Sequence, residues 1–166
     1  MNDIEVVSIR SDFPSGFTAE LGWLFIAFGR LEYLLKLCFK DLEDSRFHAG
    51  MGEAEYQGAQ FKTLCKVVRA KAGEKLGAAA GSFCSLVDEA SLLSAERDHC
   101  VHACWTVEAS GQAVRIRPKR KKSGRGPIDW SESRVVTVGE LNGIRRQAER
   151  IFVELDRVRK AWRADA

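Results

Sequence analysis

Apolar residues recur at three- and four-residue steps through most of this chain, and the pattern breaks at only a few places. From residue 18 to about 42, Leu24, Phe28, Leu31, Leu35, Cys38 and Leu42 keep that spacing and predict a helix. Thr18 is its expected N-cap, with Glu20 in the first turn suiting the helix dipole. Trp23, Phe25, Ile26 and Leu34 widen the apolar surface beyond one stripe. Such a helix buries more than one side, either in the domain core and against a partner subunit or wholly within its own bundle. A second helix is predicted over residues 60–75, with Phe61, Leu64, Val67, Val68 and Ala72 inward. A third begins near Ser82 and carries Leu86, Ala90 and Leu93 in register. The cleanest amphipathic pattern starts at Val138, with Leu141, Ile144, Ala148, Ile151, Leu155, Val158 and Trp162 on one face.

Between these helices the signals change. Residues 1–17 form an N-terminal arm in which "IEVVSI" alternates weakly as a short extended segment, ended by Pro14 and Gly16. Residues 45–58 contain Gly50, Gly52 and Gly58 and read as a loop; "GEKLGAAAG" is a break or a weak helix start. After Trp105 the period drops toward two. "WTVEAS" and "QAVRIR", joined by Ser110–Gly111, read as a hairpin, and "DWSESRVVTV" is another extended stretch. Residues 105–138 are therefore expected to be a small basic β ribbon inserted between the last two long helices of an all-α, single-domain bundle.

Composition adds little beyond a soluble class. The chain has 166 residues, 45% hydrophobic and 30% charged, enough to bury a core without disulfides or a structural metal. The most apolar window, "LGWLFIAFGRLEYLLKLCF", is interrupted by Arg30, Glu32 and Lys36, so it reads as a buried helix and no membrane association is expected. "MNDIEVVSIR" lacks a basic leader followed by an apolar run, so no signal peptide is expected. Five Cys with no framework spacing point to a reducing, cytoplasmic setting. The formal charge of +3 is unevenly spread, because "RIRPKRKKSGRGP" holds seven Lys/Arg and no acid while the rest of the chain is net acidic. Arg115, Arg117, Lys119, Arg120, Lys121 and Lys122 are candidate contacts to an RNA backbone. Without interleaved aromatics such contacts would ignore sequence, and a solvated loop explains the run equally well.

The densest chemistry lies in "SAERDHCVHACW", residues 94–105. His99, Cys100, His102 and Cys104 are all metal-ligand types. On one helix the two His stand ~60° apart and the two Cys ~40° apart, with the pairs facing different ways, so one ion cannot gather all four. A Cys–His nucleophile requires a meeting in space that adjacency does not supply. Arg97 is more informative. It falls on the stripe of Leu86, Ala90 and Leu93, where a guanidinium rarely sits without a partner or a ligand. His102 follows five residues later, ~140° around. Asp98 could orient His102 or pair with Arg97. The structural alternative has Arg97 bridging an internal acid such as Glu32 while His102 caps the helix end.

"RDHCVH" resembles the Arg–x4–6–His motif of HEPN domains, with Arg97 as the motif Arg, Asp98 as the polar residue after it and His102 as the motif His. Trp105 resembles the "H-x-x-W" ending of many small members, and the layout from residue 18 to 163 is similar to their four- to five-helix bundle. The resemblance implies a homodimeric, metal-independent endoribonuclease in toxin–antitoxin or antiviral defence, with a cognate antitoxin or defence partner and no cofactor. It implies RNA cleaved to 2′,3′-cyclic phosphate ends, with Arg97, His102 and Asp98 in the site. The residue types suit that chemistry. An imidazole can move protons near neutrality, and a guanidinium can hold the phosphate as charge builds. Some members of the family only bind nucleotides or proteins, which is the alternative. The inserted ribbon departs from the minimal domain.

Overall fold

The helix that begins at the N-terminal end, α1 (Phe17–Leu42), is buried on several sides at once. Leu24, Leu31, Leu34, Leu35 and Cys38 are all at 2% exposure or less. In the computed structural model, which describes residues 12–43, 60–77, 80–119 and 129–165, α1 packs on each of the other three helices. These are α2 (Phe61–Leu76), α3 (Ala80–Val101) and α4 (Val138–Asp165). Leu64, Val68 and Ala72 of α2, Phe83, Val87 and Ala90 of α3, and Leu141, Ala148, Ile151 and Leu155 of α4 complete the core. Residues 1–11 of the expected arm (1–17), the loop over 45–58 and the basic residues 120–127 lie outside the described residues.

Pairs of contacts fix the helix directions. Glu20 meets Arg145 near the start of both α1 and α4, and Asp41 meets Arg159 near their ends, so these two helices run parallel. Phe28 packs on Phe61 and Glu43 lies 3.6 Å from Lys71, so α2 is parallel to α1 as well. Arg69 pairs with Asp88, Phe83 packs on Trp162, and Arg97 lies over Phe28, so α3 opposes all three. Among the described residues no helix is long and apolar enough to cross a membrane.

The start of α1 corrects one expectation. Thr18 is not the N-cap: the helix begins at Phe17, and Gly16 caps it with no side-chain hydrogen bond. Phe17 is 1% exposed, against Trp105 at 5.2 Å and Phe13 at 5.4 Å between ring centroids. Drawing that ring into the first turn requires the chain to reverse just before it. Gly16 does so at φ 78°, a conformation costly for residues with a side chain.

The ribbon is a three-stranded antiparallel sheet, order β1-β2-β3, of β1 (Cys104–Val107), β2 (Ala113–Lys119) and β3 (Asp129–Val135). Ser110 and Gly111 form the expected turn: the Gly111 amide donates to the Glu108 carbonyl at 2.9 Å, and φ 83° at Gly111 lets the strands close. Trp105 pairs with Arg115, and Arg115 with Arg134, across the three strands. The Trp105 indole donates to the Cys100 carbonyl at 3.1 Å, tying the sheet to the end of α3.

The chain re-enters the bundle through a capping box. The Glu140 amide donates to Thr137 Oγ1 at 3.1 Å, and Glu140 Oε2 accepts from the Thr137 amide at 2.8 Å. That amide, followed by the Thr137 hydroxyl and Arg134, holds the Glu140 carboxyl below its ordinary range. A carboxylate with a lowered folded pKa contributes stability that is present above its unfolded pKa and is lost as pH falls through the folded value. Thr137→Ala should therefore cost about 1 kcal/mol, read as a lower urea midpoint at unchanged slope. Glu140→Gln should flatten the acid limb of the stability–pH curve; an unchanged acid limb would contradict the cap.

Candidate functional site

Helix α3 carries the candidate residues on several faces. Leu86, Ala90 and Ser94 are buried, and Arg97, the next on that side, reaches between α1 and α2. Its guanidinium lies 5.9 Å from the Phe28 ring centroid and 5.8 Å from that of Phe61, within the range of cation–π attraction. Arg97 Nε is 3.3 Å from Asp98 Oδ1, an ion pair without hydrogen-bond geometry, and the buried Nε has no hydrogen-bond partner among the described residues. Glu32 does not take this guanidinium; it pairs with Lys36 one turn along α1.

Asp98 thus stands beside Arg97 rather than orienting His102. His102 lies just past the last turn of α3, with its backbone amide donating to the Asp98 carbonyl at 3.1 Å and its side chain exposed. No hydrogen bond or ion pair between described residues joins Arg97 to His102. The ~140° between their positions on a helix is not closed within one chain.

The other members of the cluster scatter. His99 Nδ1 is buried, 3.9 Å from Glu96 and without a hydrogen-bond partner among the described residues. Cys100 is 2% exposed and lines a cavity with Val136 and Ile144, while Cys104 is exposed on β1. Among the described residues no three His, Cys, Asp or Glu side chains gather as a metal-ligand set.

The six basic candidates also divide. Arg115 is buried, at 8% exposure, and faces the helices. Arg117 is half-buried and Lys119 ends β2, whereas Arg120, Lys121 and Lys122 lie outside the described residues. Arg115 lines a cavity of about 260 Å³ between the sheet, α3 and α4, together with Glu96, Arg134, Glu140, Ile144 and Gln147. Its guanidinium also acts on the Cys100 thiol, partly offsetting the burial that raises that thiol's pKa. Period-two alternation alone would place Val114 and Ile116 inward and Arg115 in water, so neither this cavity nor the contact of Arg97 with Phe28 and Phe61 is announced by a local pattern.

The apolar residues expected at a subunit face, Trp23, Phe25 and Ile26, are 58%, 40% and 51% exposed, with Tyr33 beside them. Trp23 and Ile26 stand ~140–160° around α1 from Phe28, so this surface is turned away from Arg97. No family model matches the chain, and neither the curated proteins nor the solved structures contain a match to it.

The thiols provide a check on these placements. Burial pushes Cys38 and Cys65 up to about 12 and raises Cys100, so all three are poor nucleophiles in the folded protein. Maleimide labelling at neutral pH, mapped by peptide mass spectrometry, should modify Cys104 first and these three only after denaturant is added. Native labelling of Cys100 at the rate of Cys104 would contradict the position of β1 and β2 on α3.

Proposed function

We propose that this chain is a metal-independent endoribonuclease of HEPN type that acts as a homodimer. The supporting observation is Arg97, a guanidinium lying against the packed pair of rings Phe28 and Phe61, five residues before an exposed His102. An Arg held by contact with rings would leave the terminal nitrogens of its guanidinium for a phosphate. In the reaction, His102 would take the proton from a ribose 2′-hydroxyl or return one to the 5′-oxygen that leaves. Arg97 would hold the phosphate as the 2′-oxygen attacks phosphorus, and Asp98 would keep the guanidinium in place. The products would be a 2′,3′-cyclic phosphate and a 5′-hydroxyl.

The separation of Arg97 and His102 within one chain favours a shared cleft, in which each subunit supplies part of the site. The contact that forms it would lie on the α2–α3 side, since the exposed face of α1 points elsewhere. The setting implied by the resemblance is toxin–antitoxin or antiviral defence, where a partner restrains the nuclease. The remaining basic residues of the ribbon, Arg117 and Lys119–Lys122, would hold RNA backbone without regard to sequence.

The same separation favours one other reading, a non-catalytic module that binds a nucleotide or protein with Arg97 already paired to Asp98. One experiment divides them. Purified wild-type protein in excess chelator should cut RNA and leave cyclic phosphate ends. Arg97→Ala and His102→Ala should each lower the rate at least 100-fold, consistent with the loss of a general acid–base or charge-stabilising group, while the circular dichroism spectrum is unchanged. Thermal stabilisation by nucleotides with no cleavage under any condition would support the binding module and end the nuclease proposal.

A further inference from the structure

The cavity between the sheet, α3 and α4 contains charged groups with unequal commitments. Arg134 is 2.5 Å from Glu140, and Glu140 is further occupied by the Thr137 cap, so these two charges neutralise each other. Arg115 differs. It is more than nine-tenths buried, and no carboxylate among the described residues lies within 4 Å of it. Glu96 faces the same cavity from α3, one turn before Cys100, and its nearest cationic candidate is His99 at 3.9 Å. A buried guanidinium and a carboxylate therefore line one space without touching each other. A buried charge left unpaired is costly, which is why such groups in native proteins have a partner or a ligand.

We propose that this cavity binds a small zwitterion of free amino-acid type. Its carboxylate would sit on the Arg115 fork and its ammonium would donate to Glu96. The Gln147 amide would provide a further polar contact, with Val136 and Ile144 as the apolar wall against the side chain. The size agrees: a cavity of about 150 Å³ holds benzene, so one of 260 Å³ takes a molecule on the order of ten heavy atoms. A simple anion fits less well, because Glu96 would repel it. A phosphate of a polyanion such as RNA would meet the same repulsion. The site is separate from Arg97 and His102, so it stands or falls independently of the nuclease proposal.

The test is thermal unfolding of the full-length protein with each of the twenty free amino acids, and with inorganic phosphate as the arm for a plain anion. At least one amino acid should give a saturable rise in Tm of about 3–5 °C at tenfold excess over its Kd. Glu96→Gln, a half-exposed helical position expected to fold, should weaken that binding at least tenfold. Arg115→Lys should weaken it as well, since a point charge does not replace the planar fork. A shift with phosphate and none with any amino acid would overturn the proposal. So would no shift at all, or amino-acid binding that is equal in wild type and Glu96→Gln.

Discussion

Everything in this domain depends on α1 losing its water on three sides. Leu24, Leu31, Leu35 and Cys38 have no exposed surface, and each of the other helices buries its own stripe against α1 or against a neighbour that α1 holds. Each aliphatic side chain so buried contributes roughly 1.5–3 kcal/mol, while ordering each residue costs about 1–2 kcal/mol. No single pair of helices would be stable on those terms, and the bundle forms only when the faces close together. Apolar contact is non-directional, so ion pairs supply the direction. Glu20 with Arg145 and Asp41 with Arg159 pin the two ends of α1 to α4 and leave only the parallel arrangement.

The helices were legible in the sequence because their signal is local and repetitive. The spacing from Leu141 to Trp162 determines a face regardless of what it meets, and α4 starts at Val138 as that spacing requires. The change of period after Trp105 likewise marks the three strands. The start of α1 was not legible, since Thr18 is a chemically sound cap. What moves the cap to Gly16 is the distant ring of Trp105, which draws Phe17 inward. Tertiary contact overrode a good local preference, and no window of sequence contains it.

The candidate site follows the same division. Arg97 could be singled out because a cation on an apolar stripe violates a local rule. Its rings, Phe28 and Phe61, come from two other helices and carry no mark in the sequence. The burial of Arg115 is hidden in the sequence for the opposite reason. It belongs to a run of cations that reads as one solvated surface, yet strand geometry turns alternate residues to opposite faces. Arg115 shares its face with Ala113, which is 1% exposed. A charge run is therefore not one environment: on a strand, every second member is a separate question.

The parallel direction of α1, α2 and α4 has a consequence for the field around the molecule. A helix carries about half a positive elementary charge at its N-terminus and half a negative one at its C-terminus. In an up-down bundle neighbouring helices cancel. Here three point one way and one the other, leaving an excess of about one positive charge at the end where α3 finishes and the sheet begins, with the opposite excess at the far end. Glu20 and Glu140, in the first turns of α1 and α4, offset part of it. What remains is set by the backbone and cannot be titrated or substituted away. At physiological salt it extends about 8 Å into solvent, giving the molecule a polarity along its length to which an approaching anion would respond before meeting any side chain.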